Sequence, residues 1–135
     1  MNYARLLLAA VGGTVAYFAF GFLVFGLWPV LRAEYARYPA VYRSQEDIKG
    51  VMPMGMAAIL VGIAVLVVLY GMTGQSGAAA GARFGALVGL FAVCAFVVHN
   101  HVNLNIGLRL TVGQAVAYFL EWTLVGLVIG LLYRR

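Results

Sequence analysis

Residues 6–31 run for 26 positions without one charged side chain. A bilayer core takes about 20 residues of helix to cross, and a helix that is apolar all round has no face to offer water. The pattern recurs down the chain. Residues 52–72 carry no charge over 21 positions. Residues 84–98 are shorter, but the Ala-rich stretch 77–82 extends them backwards, with Arg83 snorkelling to the interface. Residues 110–132 span 23 positions, with Glu121 as the one charge.

The charge content agrees. Only 10% of the 135 residues are charged, where a soluble domain carries about a quarter. Twelve of the thirteen charges lie between or at the edges of the apolar runs. The expected fold is therefore all-α: a four-transmembrane-helix antiparallel bundle, one domain over residues 1–135, with helices at about 5–31, 51–73, 79–101 and 111–133. A membrane barrel would alternate apolar and polar residues with period two, and these runs do not. The first run resembles a signal peptide, but it is too long for an h-region and ends in Trp28 and Pro29, so it reads as a retained helix.

The connections are unequal. Thr73, Gly74, Gln75, Ser76 and Gly77 form a short turn. Gly107 marks a bend before the last helix, and Thr111 with Gln114 reads as a capping box opening it. Between the first two helices, Tyr35, Tyr38 and Tyr42 recur at helical spacing among Glu34, Arg37 and Arg43. That is an interfacial amphipathic segment, ended by Pro39, with its tyrosines at headgroup level. Ser44 to Asp47 supplies a cap for a second start, leaving Pro53 either to kink the next helix or to open it. Juxtamembrane arginines, part of a net charge of +5, suit anionic lipid headgroups rather than nucleic acid. Lys and Arg count four on the side of the termini (Arg5, Arg83, Arg134, Arg135) and five on the other (Arg32, Arg37, Arg43, Lys49, Arg109). The three acids in the first loop tilt the expectation to cytoplasmic termini in a bacterial inner membrane.

At 100° per residue each helix shows a stripe. Ala10, Thr14, Tyr17, Gly21, Val24 and Trp28 align on the first. Gly55, Ala58, Gly62 and Leu69 align on the second. Gly85, Gly89, Ala92, Phe96, His99 and Asn103 align on the third. On the fourth, Gln114, Tyr118, Glu121 and Val125 share a face, and Gly126 and Gly130 share another that serves the bundle or a second protomer. Turned inward together, the polar stripes form a recess. Its mouth is His99, Asn100, Asn103 and Gln114. Its floor is Tyr118, Glu121 and Tyr17.

Glu121 is the exception among the charges. A carboxylate near the bilayer midplane costs roughly 2.5 kcal/mol or more. It is either a proton or cation site, or a neutral carboxyl bonded to Tyr17, Tyr118 or a backbone carbonyl. His99 and His101 point about 200° apart on one helix, so they cannot both ligate one ion or haem from that helical stretch; a bis-His haem would need a second protomer or an unwound terminus. Asn100, Asn103 and Asn105 are simplest as helix-terminating residues. Met52, Met54 and Met56 are apolar filler, since Met54 faces away from the other two. Cys94 stands alone, which excludes an intrachain disulfide and a C-x-x-C relay. No phosphate loop, zinc motif or nucleophile elbow is present. No cofactor, metal or catalytic residue is expected.

The Met1-Asn2-Tyr3 start, Gly21 through Trp28, the stretch 103–107 and the block Tyr118, Phe119, Leu120, Glu121, Trp122 resemble uncharacterised bacterial four-helix integral membrane proteins of a domain-of-unknown-function family. The resemblance implies an architecture and no catalytic residue. The expected role is a structural or accessory subunit of a larger membrane complex, or a homo-oligomer. The alternative is a proton- or cation-coupled small carrier using Glu121 with His99 and Tyr118.

Overall fold

The computed structural model describes residues 3–133. Met1, Asn2, Arg134 and Arg135, which entered the resemblance and the charge count, lie outside the described residues. Five helices make up that range: α1 (Tyr3–Leu27), α2 (Pro29–Ala36), α3 (Gln45–Met72), α4 (Ala78–Asn103) and α5 (Leu108–Leu132). All but α2 are long and apolar enough to cross a membrane. The chain is an all-helical integral membrane protein.

The first apolar run does not stay one helix to residue 31. The residue before a proline is driven out of the α region, and Trp28 is extended at φ −73°, ψ 111°. Helix α1 therefore stops at Leu27. Pro29 then takes the first position of α2, where its missing N–H costs nothing. Just before the break, Phe22–Leu27 widens to a π-helical turn. A second π turn lies at Val93–Val98 within α4.

Helix α3 begins at residue 45 rather than 51. The Ser44 hydroxyl accepts from the Asp47 N–H at 3.1 Å, and Glu46 and Asp47 place negative charge in the first turn. Pro53 thus lies inside the helix and leaves the Lys49 carbonyl without its usual donor. The expected capping box of the last helix does not form. Gly107 is the N-cap, so α5 starts at Leu108 and Thr111 already sits inside it. Thr111 bonds back to the Gly107 carbonyl instead, and Gln114 reaches other partners entirely.

The closest packing is between α4 and α5. A Cβ on Gly81 would fall on the Gly126 carbonyl and against Gly130, and one on Gly85 would fall on the Trp122 carbonyl. One on Gly89 would meet Phe119 at 3.0 Å. Gly126 and Gly130 are therefore used within the chain, backbone against backbone. In lipid, packing and not hydrophobicity holds helices together, so close approach is where the attraction comes from. The turn joining α3 to α4 is tied to the same seam. Gly77, at φ 96°, donates to the Gly130 carbonyl at 3.1 Å. Helix α1 adds Ala9, Ala10 and Gly13 against Ile63, Val125 and Ile129.

Helix α3 leans mainly on α1, with Tyr70 also reaching Phe84 and Tyr133. Its own glycines, Gly55 and Gly62, meet nothing within 4 Å. The two sets of glycines should respond oppositely to a methyl group. Gly85→Ala is expected to destabilise by about 1–3 kcal/mol through overpacking. Gly62→Ala should be neutral or stabilising by up to about 1 kcal/mol, the helix penalty of glycine. Reversible unfolding of both variants in mixed micelles measures the contrast.

Candidate functional site

The segment from Pro29 to Tyr42 folds over the start of α5 and is fastened there at four points. Leu31 is buried in a small apolar cluster with Ile106 and Leu110. The Tyr38 hydroxyl accepts from the Gly107 N–H at 2.8 Å. Glu34, only 5% exposed, meets Arg37 Nη1 and Arg109 Nε, each at 3.3 Å. Buried carboxylates are tolerated when paired, so Arg109 anchors this segment to α5 as well as marking a membrane edge. Finally, Gln114 Nε2 donates to the Tyr35 hydroxyl at 2.7 Å and to the Tyr42 hydroxyl at 3.1 Å.

These tyrosines roof a cavity of about 430 Å³. One wall comes from α4, with Ala92, Phe96, Val97 and Asn100. The other comes from α5, with Gln114, Tyr118 and Trp122. The volume falls within the roughly 300–1,000 Å³ of small-molecule sites. The glycine seam ends at Gly89, and beyond it larger side chains hold the helices apart. The π turn at Val93–Val98 lies in the same wall, and such turns gather at functional sites. Burial pushes the Tyr35 phenol up, against the lowering effect of the Gln114 bond, and the charge of Glu121 adds to the rise. Tyr35 is therefore a neutral hydroxyl at physiological pH.

Glu121 itself lies one turn along α5 from Tyr118, outside the cavity lining. It is 1% exposed, and neither of its carboxyl oxygens has a hydrogen-bond partner. A Cβ on Gly21 would stand 3.1 Å from Glu121 Oε1, a tight contact, so α1 and the carboxyl approach closely at this glycine. Tyr17 does not bond it. Its ring packs on Phe18 and Trp122, at centroid distances of 5.4 and 5.3 Å. Tyr118 packs on Phe25 at 5.6 Å.

Of the residues expected to form the recess, Asn100, Gln114 and Tyr118 line the cavity together. His99 is exposed, and Asn103 turns back to donate to the His99 carbonyl at 3.0 Å. His101 meets Thr111 at 2.9 Å across the third loop. Tyr17, half-buried against Trp122, and the buried Glu121 do not line the cavity. The residues missed by sequence reasoning are Tyr35, Tyr42, Phe96 and Trp122. A signal existed for the first two: seven residues apart, they share a helical face. That face reads equally well as a headgroup belt.

No family model, no curated protein and no solved structure matches the chain.

Gln114 is the joint between roof and wall. Gln114→Leu should leave both phenols without their donor, at a cost of about 1–3 kcal/mol. Hydrogen exchange is expected to speed up over residues 29–44 while the four long helices keep their protection.

Proposed function

We propose that this protein is a small membrane carrier whose aromatic recess takes a small solute and whose Glu121 holds the coupling proton or cation. One observation carries the reading: a carboxyl 1% exposed, with both oxygens unbonded, one turn from the wall of a 430 Å³ cavity. A purely structural carboxyl would be expected to have found a partner, because an unsatisfied buried polar group costs about 1–3 kcal/mol and a charged one more. Tyr17 and Tyr118 are close at hand, yet they spend their contacts on ring packing. A group in that position holds a proton or a counter-ion, and intramembrane carboxyls of this kind mark ion and proton pathways.

The same reading includes an antiparallel bundle in a bacterial inner membrane with cytoplasmic termini, and kinship with the uncharacterised four-helix family named above. The order of the glycine contacts supports the antiparallel part. Gly81 pairs with Gly126 and Gly130, Gly85 with Trp122, and Gly89 with Phe119, so rising numbers on α4 meet falling numbers on α5. The segment after α1 is then an interfacial strap with its arginines toward anionic headgroups.

A second reading, an accessory subunit or homo-oligomer, is favoured by a different observation. Gly55 and Gly62 on α3 face open space at the small-residue positions where another helix packs closely.

Charge-displacement recording on solid-supported membranes separates the two. Proteoliposomes would be offered a panel of small organic cations, anions and neutral solutes. The carrier reading expects a transient current with one class, lost in Glu121→Gln while the variant still inserts and unfolds normally. Silence across the whole panel, or currents indifferent to Glu121→Gln, would leave the accessory reading standing alone.

A further inference from the structure

The chemistry of the recess lining narrows what it takes. Five side chains around the cavity are aromatic: Tyr35 and Tyr42 in the roof, Phe96 on α4, and Tyr118 and Trp122 on α5. The remaining lining residues are Ala92, Val97 and two neutral amides. Among the described residues no basic side chain lines the space. Arg37 and Arg109 pair instead with the buried Glu34, their own side chains 62% and 69% exposed. Aromatic faces are negative and attract a desolvated cation held over them. Behind the α5 wall stands a carboxyl with no partner of its own. The roof hydroxyls accept from Gln114, which fixes the two rings in place over the space.

From this arrangement we infer that the recess is an aromatic cage for an organic cation, a quaternary ammonium or phosphonium group seated among Tyr35, Tyr42, Tyr118 and Trp122 with Glu121 as its counter-charge. The inference rests on the carrier reading and names its substrate class. The cation makes contact with ring faces, and Glu121 acts on it through low-dielectric protein rather than by touching it. An apolar body around the charge fits the same site, because Phe96, Ala92 and Val97 complete the wall. A quaternary ammonium reaches such a site either as a free lipophilic cation or as the choline headgroup of a lipid.

Two probes of nearly the same shape and opposite charge test the inference: tetraphenylphosphonium and tetraphenylborate, titrated calorimetrically into the purified full chain in maltoside micelles, with empty micelles as the blank. The cage expects saturable heat with the phosphonium and none beyond the blank with the borate. Tyr42→Leu, in the roof, and Tyr118→Leu, in the wall, should each weaken the phosphonium by roughly 2- to 30-fold, and Glu121→Gln should weaken it further. If Tyr118→Leu fails to fold, Tyr42→Leu alone decides, since Tyr42 lies outside the membrane-spanning helices. Equal binding of both probes, or binding indifferent to Tyr42→Leu, overturns the cage. Phosphocholine added as competitor assigns the source: displacement points to a lipid headgroup, and persistence of the phosphonium signal to a free cation. Should the phosphonium fail while an anion or neutral solute gives a Glu121-dependent current, the substrate class is wrong and the carrier reading survives. Failure of every class removes both.

Discussion

The backbone contact of α4 with α5 is the constraint on which the rest of the structure depends. Three glycines on α4 meet glycine or backbone on α5, Gly81 and Gly85 at separations no side chain would permit and Gly89 at a tight contact with Phe119. That seam ends at Gly89. Past it, α4 presents Ala92, Phe96 and Asn100, and α5 presents Tyr118 and Gln114. Helices joined through glycine at one end and held off by rings at the other must leave space between them. The recess is the consequence of where the glycines stop. The segment from Pro29 to Tyr42 roofs that space because its tyrosines find in Gln114 a donor for both hydroxyls.

Two acids are buried in this chain, and their surroundings differ. Glu34 lies outside the four long helices, beside Arg37 and Arg109, and is satisfied by them. It serves to fasten the roof. Glu121 lies between α1 and α5 with bonds to nothing. It fastens nothing by a hydrogen bond. The contrast is between a buried carboxyl that is paired and one that is not, and the carrier proposal rests on the second. At position 21 a Cβ would stand 3.1 Å from the Glu121 carboxyl, close enough that the carboxyl would have to shift slightly.

Much of this was legible in the chain. The four charge-free runs predicted four long apolar helices, and the count is right because the length of a bilayer crossing leaves little freedom. Ser44 as a helix start was readable from its sequence neighbours, as was the termination of α4 by Asn103. The recess was only partly readable. Gln114 and Tyr118, with Ala92 and Phe96, could be placed on helix stripes, because a stripe is a property of one helix, and Asn100 was expected at the recess mouth by its depth. Tyr35 and Tyr42 could not be placed, because a tyrosine beside a membrane serves equally well as a headgroup anchor or as a lid. Gln114 was misread for a similar reason. Its spacing from Thr111 imitates a capping box, and the spacing says nothing of two phenols more than seventy residues away.

By itself, the sequence determined that this protein lives in a membrane, how many times its helices are long enough to cross it, and that one acid is stranded among apolar residues. Those are consequences of solvation, and solvation is read residue by residue. Only the tertiary structure decided which glycines are spent within the chain and which face outward, which segment closes over the last helix, and that Glu121 has no partner. Each of these depends on the distance between groups far apart in sequence, and no local pattern encodes that distance.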